Sequence, residues 1–229
     1  MWKNIYGRYE FIISVGEKKM KYPKTLHLPW SPGVTKADKI APSIDHLINK
    51  QIVLLEKLDG ECTSMFHDRI HARSEESSHH PSRSWVKGFW GEICHRIPKD
   101  VQIVGENMYA KHSIYYNKLD TYFYGFAAIK GNKFLGWVDT IKLFEKICIE
   151  PVPTLSFGPL TISYIRKMLL KPEFTPSFGR GMEGYVLRPI SDFPVNEFNK
   201  WVLKYVRKDH VQTNIHWRKH WVKNGLKND

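Results

Sequence analysis

The sequence predicts an α+β fold. Short, β-compatible apolar runs separated by turn signals dominate the chain, and helix-period segments stand singly among them. No regular βαβ alternation links the two kinds of segment. At 229 residues, 42% hydrophobic and 25% charged, the chain can bury a core without disulfides or a metal staple, and its composition is not that of a disordered protein.

Each element follows in order. Charges interrupt every apolar stretch of residues 1–21, so no signal-peptide core is present. Residues 22–42 contain Pro23, Pro29, Pro32, Gly33 and Pro42 and read as an irregular arm. Ser43 is expected to cap a short helix over 43–49, with Ile44, Leu47 and Ile48 on one face. Residues 51–57 form an apolar strand, and Asp59-Gly60 turns the chain. Residues 62–66 and 69–74 pair around His67-Asp68, and a polar loop covers 75–83. Residues 85–96 have helical spacing through Trp85, Phe89 and Ile93. Strands follow at 101–106, 122–129 and 133–137, the last pairing back across Lys130-Gly131-Asn132. Helices are expected at 140–148 and at 161–170, the second stopped by Pro172. Residues 183–188 and 201–207 are two more strands, and 210–223 is expected to be a basic, aromatic helical tail.

Lys and Arg total 35 against 23 Asp and Glu, a net charge of +12 that points to a polyanionic partner such as nucleic acid. The three cysteines, Cys62, Cys94 and Cys148, are scattered and form no CxxC pair. A disulfide framework and a structural zinc site are therefore not expected, and a cytoplasmic setting is. No apolar run approaches the roughly 20 residues of a membrane span. A monomer without a membrane partner is expected.

The most informative stretch is Glu56-Lys57-Leu58-Asp59-Gly60-Glu61. A lysine at the end of an apolar strand, before an Asp-Gly turn, sits where its amine can reach a pocket mouth. Such a lysine becomes a nucleophile if burial or a cationic neighbour removes its proton. Arg73, Glu106, the aromatic strand with Tyr124 and Phe126, Glu183 and Lys204 follow, each on or beside a predicted strand. Glu106 and Glu183 end apolar strands, where a carboxylate is costly unless it faces a polar cleft.

This ordered set resembles the covalent nucleotidyltransferase superfamily of ATP-dependent ligases and capping enzymes, and within it the RNA ligase family. Glu56-Lys57-Leu58-Asp59-Gly60 resembles motif I and Gly105-Glu106-Asn107 motif III. Residues 122–129 resemble the aromatic motif that follows. Glu183-Gly184-Tyr185-Val186 resembles motif IV, and the strand carrying Lys204 resembles motif V. One departure stands out. Motif V usually has two lysines one residue apart, whereas here Val202 lies two before Lys204, and Lys200, four residues away, is expected to reach the same phosphates by another route.

The resemblance implies an adenylylation domain of antiparallel sheets with flanking helices. It implies that Lys57 attacks the α-phosphorus of ATP and that Lys204 contacts the α-phosphate while lowering the pKa of Lys57. Glu106 and Glu183 would bind ribose and orient the water of a Mg2+ or Mn2+ ion, and Arg73 would touch sugar or phosphate. Phe126 would stack on adenine, with Tyr124 the alternative on the same strand face. Glu56 would accept from the adenine amino group and select ATP over GTP. Residues 1–207 would be the nucleotidyltransferase domain with its arm. Residues 208–229 would be a short tail, too short for the OB-fold domain that DNA ligases and capping enzymes carry there.

The implied function is RNA end sealing with ATP. A ligase for DNA or for hybrid nicks, and a nucleotide- or RNA-binding module without catalysis, are the rivals. His67, His71, His79 and His80 match no zinc spacing and read as loop histidines. In the tail, aromatics interleaved with cations suit single-stranded ends, whereas Trp217 and Trp221, four apart, would share a helix face and pack on the domain.

Overall fold

A computed structural model describes residues 21–73, 80–170, 175–179, 181–208 and 221–229. The arm is not wholly irregular. It forms β1 (Leu26–His27), and the helix expected at 43–49 shrinks to a single 3-10 turn, Asp45–Leu47. There the Ser43 hydroxyl accepts from the Asp45 amide at 2.9 Å, a local bond that closes a turn and does not start a full helix. β2 (Gln51–Lys57), β3 (Glu61–Met65) and β4 (Ile70–Ala72) follow. α1 (Ser84–Ile93) begins after a 3-10 turn capped by His80 and led by Pro81, whose fixed φ suits a first turn.

β5 (Val101–Asn107) and β6 (Phe123–Lys130) are the long central strands. β7 (Lys133–Phe134) is shorter than the sequence predicts, because Gly136 caps α2 (Trp137–Ile147) and the Trp137 amide bonds Ile190 O at 2.7 Å. β8 (Glu150–Pro151) and β9 (Thr154–Pro159) lie in a Pro-punctuated stretch without period-two contrast, and sequence reading misses both. α3 (Ile162–Leu170), β10 (Gly184–Pro189), β11 (Phe193–Pro194), α4 (Phe198–Trp201) and β12 (Leu203–Val206) complete the described chain.

The strands form two sheets, ordered β1-β12-β10-β2-β9 and β11-β7-β6-β5-β3-β4, with β8 paired to β6. Pairing is antiparallel except for β1 with β12 and β6 with β8, which run parallel. Val53, Leu55, Leu58, Met108, Tyr116 and Tyr122 fill the space between the sheets at one end. Val104, Ala127, Phe134, Phe198 and Val202 fill it at the other. Outside the first sheet, the arm and α3 cover Ile52, Leu54, Tyr185 and Leu203. Outside the second, α1 and α2 cover Met65, Ile103, Phe123 and Phe144. Each sheet is thus covered on its outer face, and a cleft opens between the two filled ends.

β2 belongs to the first sheet and β3 to the second, so residues 58–60 cross from one sheet to the other. Lys57 stands at that crossing. The last nine residues pack back as extended chain: Asn224 is fully buried, donates to Met108 O at 2.7 Å and accepts from the Tyr116 amide at 3.0 Å. Trp221, expected on a helix, is in this extended stretch beside Tyr109. Trp217 and residues 209–220 lie outside the described residues, as does His79.

Candidate active site

The cleft holds a cavity of about 590 Å³, lined by residues of both sheets and of the arm. Glu56, Lys57, Arg73, Glu106, Phe126 and Lys204 all line it, although they are up to 148 positions apart in the chain. Glu183 joins them by its bond to Lys57. Tyr124 and Lys200 do not line the cavity.

Lys57 is placed by the turn that follows it. Asp59 Oδ2 accepts from the amides of Ser113 and Ile114 at 2.7 and 2.8 Å, and its own amide donates to Tyr116 Oη at 3.0 Å. The buried tail, through Asn224, fixes the same segment. Gly60 passes so close to the second sheet that a Cβ there would lie 2.5 Å from Asn107 O and 2.7 Å from Met108 Sδ. Its amide donates to Glu106 Oε1 at 3.1 Å. The Asp-Gly pair is therefore a clamp between the sheets as well as a turn. Sequence reading missed that clamp, for which the capping habit of Asp was the available signal.

Lys57 Nζ lies 2.5 Å from Glu183 Oε2. Burial disfavours its charge, but Glu183, Glu106 and Asp59 outweigh that and hold its pKa above the ordinary lysine value. The expected lowering by Lys204 is therefore outweighed by the carboxylates. Lys204 itself is lowered, by burial first and by Lys57 second. Glu106 is raised to about 8, chiefly by burial and further by Glu183 and Asp59. Glu56, 2% exposed, is also raised by burial, partly offset by Ser177. Its Oε2 accepts from the Ser177 amide at 3.1 Å, while Oε1 has no hydrogen-bond partner among the described residues.

Phe126 and Tyr124 part company at a bulge. Val104 pairs Ala127 but Gly105 pairs Gly125, so Phe126 is the extra residue and the period of two is broken between the aromatics. Gly105 permits the bulge, since a Cβ there would sit 2.5 Å from Tyr124 O. Phe126 lines the cavity. Tyr124 is fully buried in the core, its hydroxyl accepting from the amides of Asp120 and Thr121. The shared-face expectation therefore fails. Lys200 fails too: its ammonium is half-exposed on α4, 3.7 Å from Glu197 and over the Trp201 ring. Arg73 is exposed at the cavity rim.

The arm adds residues that sequence reading did not select. Asp38 Oδ1 lies 3.6 Å from Lys204 Nζ, 3.4 Å from Lys24 Nζ and 3.6 Å from His27 Nε2, and Oδ2 accepts from the amide and hydroxyl of Thr35. Burial opposes charge on Asp38, yet Thr35, Lys204 and His27 hold its pKa well below the ordinary range. His27, 1% exposed, is pushed down to about 4 by burial and by Lys204, against the pull of Asp38.

A His that is neutral when folded and protonates near 6.5 when unfolded contributes stability that is present above pH 6.5 and lost as pH falls towards 4. His27 should contribute a loss on the order of 2–3 kcal/mol of unfolding free energy across that window, set against the opposite contribution of Glu106, whose raised carboxyl takes up its proton below about 8 in the folded protein. His27→Gln should remove that loss, so its unfolding free energy should fall less, or rise, over the window in which wild type loses the His27 contribution, whatever the change does to absolute stability. Denaturant titrations at half-unit pH steps would show this, and parallel slopes in the two proteins would contradict it.

Glu106 and Glu183 are the donors available to a divalent cation. Among the described residues no group of three or more His, Cys, Asp or Glu side chains is arranged to hold a metal. Mg2+ keeps most of its waters and takes one or two carboxylates, so the buried Glu183 and the half-buried Glu106, which repel each other, fit it and Mn2+.

Residues 50–206 match the family model described as RNA ligase. No curated protein matches the chain in sequence. Among solved structures, the fold resembles a Naegleria gruberi RNA ligase with PPi, at 16% identity and TM-score 0.53, covering 89% of this chain and 63% of that one. A mutant of the Naegleria gruberi RNA ligase with ATP and Mn matches at 15% identity and TM-score 0.52, covering 75% and 54%. An archaeal ATP-dependent RNA ligase matches at 14% identity and TM-score 0.50, covering 84% and 50%. The chain thus spans about half the length of the solved proteins it resembles.

Proposed function

The chain belongs to the RNA ligase family, and on that footing we propose that it joins RNA 3′-hydroxyl and 5′-phosphate ends at the expense of ATP, through a lysyl-AMP on Lys57. The observation that carries this reading is the cavity itself. It collects a strand-end lysine, an unpartnered buried acceptor, a lining aromatic, a second ammonium and two carboxylates.

In the first step Lys57 Nζ forms a P–N bond to the α-phosphorus as the bond to pyrophosphate breaks. Lys57 must first shed a proton, and Glu183 Oε2 is the acceptor already in contact with it. Lys204 faces the charge that develops on the non-bridging oxygens. The AMP then passes to the 5′-phosphate, regenerating the lysine. The 3′-hydroxyl attacks that phosphate, forming the phosphodiester and releasing AMP. When bound at Glu106 and Glu183, Mg2+ or Mn2+ would neutralise phosphate charge and weaken the pull of both carboxylates on the Lys57 proton.

The free Glu56 Oε1 accepts from an exocyclic amine, which adenine offers and guanine replaces with a carbonyl at the same position. Self-labelling with ATP should therefore exceed that with GTP on the order of 100-fold, and Glu56→Leu should narrow the ratio below about 10-fold. Equal labelling of wild-type protein by GTP would favour a capping-type reaction.

The net charge of +12 supports a polyanionic substrate. The free thiols of Cys62, Cys94 and Cys148 agree with a cytoplasmic setting. No helix among the described residues is long and apolar enough to cross a membrane. Ligation assays on a matrix of labelled RNA, DNA and hybrid ends test the substrate. Sealing confined to RNA 5′-phosphate ends supports the reading. Sealing of DNA strands alone would favour the DNA ligase, and ATP binding without sealing of any end would favour an inactive module.

A further inference from the structure

The Val202 position, where a second phosphate-directed lysine is expected, is part of an apolar wall. Val202 is 3% exposed among Phe134, Phe193 and Phe198. Lys200 points elsewhere, to Glu197. Among the described residues, the cations lining the cavity are Lys24, Lys57, Arg73, Arg188 and Lys204. Arg188 is buried, and its guanidinium donates to the carbonyls of Phe126 and Leu135.

Lys24 is different. β1 pairs in parallel with β12, setting His27 beside Lys204 and bringing the residues just before β1 to the Val202 side of the cleft. Lys24 and Lys204 share one oxygen of Asp38, so their ammonium nitrogens are at most about 7 Å apart, the sum of the two distances. The Asp38 oxygens are taken up by Thr35 and by these ammoniums. Each ammonium has three N–H donors, and although Lys24 gives one to the Ala37 carbonyl and turns another to Asp38, a donor remains on each for an anion. Two ammoniums against one carboxylate leave the cluster with an excess positive charge.

We propose that Lys24, carried in by the N-terminal arm and yoked to Lys204 by Asp38, is the second phosphate-binding cation of the cavity and grips the pyrophosphate portion of the nucleotide. The inference deepens the ligase reading and rests on it for the identity of the nucleotide. The arm then completes the phosphate subsite that β12 alone leaves half built. Asp38 acts as a positioning residue: through one oxygen it keeps the two ammoniums within about 7 Å of each other on the cavity wall.

Calorimetric titration of the full chain with inorganic pyrophosphate reads the grip directly, without requiring turnover. Wild-type protein should bind pyrophosphate, Lys24→Ala should weaken binding at least 10-fold, and Lys24→Arg should stay within about 3-fold of wild type. Lys200→Ala should leave binding unchanged. The Lys24 side chain is 46% exposed, so its loss should not unfold the domain, and a melting curve checks this. The inference is overturned if wild-type protein does not bind pyrophosphate, if Lys24→Ala binds as wild type does, or if Lys200→Ala loses as much as Lys24→Ala. Covalent labelling is scored separately. Pyrophosphate binding through Lys24 in a protein that never labels would sink the ligase reading and leave the grip standing, whereas labelling with an indifferent Lys24 would do the reverse.

Discussion

Lys57→Ala protein incubated with ATP and Mg2+ is expected to acquire no covalent adenylate, at a level below about 1 part in 10⁴ of wild type, since no other group replaces a removed nucleophile. The same protein given an RNA end that already carries AMP should still seal it, because the activated end bypasses the lost chemistry. The split between steps is the informative part. A purely structural lysine would cost both reactions alike. Removing Lys57 also takes from Glu183 the ammonium at 2.5 Å, and taking one charge out of a buried ion pair destabilises the fold by on the order of a few kcal/mol. Lys57→Arg keeps a cation against Glu183 and so separates the missing nucleophile from the missing pair. Both variants should fail to label, and the Arg variant should melt nearer to wild type.

Lys204→Ala should slow self-adenylylation 30- to 1000-fold, the equivalent of roughly 2–4 kcal/mol of lost phosphate stabilisation in the transition state. Unlike Lys57, Lys204 faces the phosphate whenever charge develops on it, so sealing of a pre-adenylylated end should be impaired as well. The variant should fold, because Asp38 keeps Lys24 and the two Thr35 donors after Lys204 is gone. Single-turnover labelling at saturating ATP measures the rate. A wild-type rate in a folded Lys204→Ala protein would remove this residue from the phosphate site.

Much of this architecture is legible in the sequence where a local pattern coincides with the structural cause. The strand at 51–57 and the helices after Ser84 and Thr161 are strongly patterned, and the structure has them within a few residues. β1, β8 and β11 are two residues each and owe their existence to partners far along the chain, so no local period announces them. The site follows the same division. Lys57, Glu106, Glu183 and Lys204 were readable because each stands at or near a strand end. Tyr124 was misplaced because a bulge is a property of two strands in register. Lys200 was misplaced because four residues along the chain do not measure distance across a strand–helix junction. Lys24 and Asp38 sat in a proline-rich stretch read as loop. The parallel pairing of β1 with β12, a contact across some 175 positions, brings Lys24 to Lys204, and the bridge of His27 to Ile40 folds Asp38 in beside them.

The central claim is that Lys57 is the residue that carries AMP. Wild-type protein should be incubated with ATP and Mg2+, digested under neutral conditions that preserve a phosphoramidate, and mapped by tandem mass spectrometry. One adenylate is predicted, on Lys57, removable by acid and by added pyrophosphate. An adenylate on another residue, or a folded, ATP-bound protein that carries none, would contradict the account.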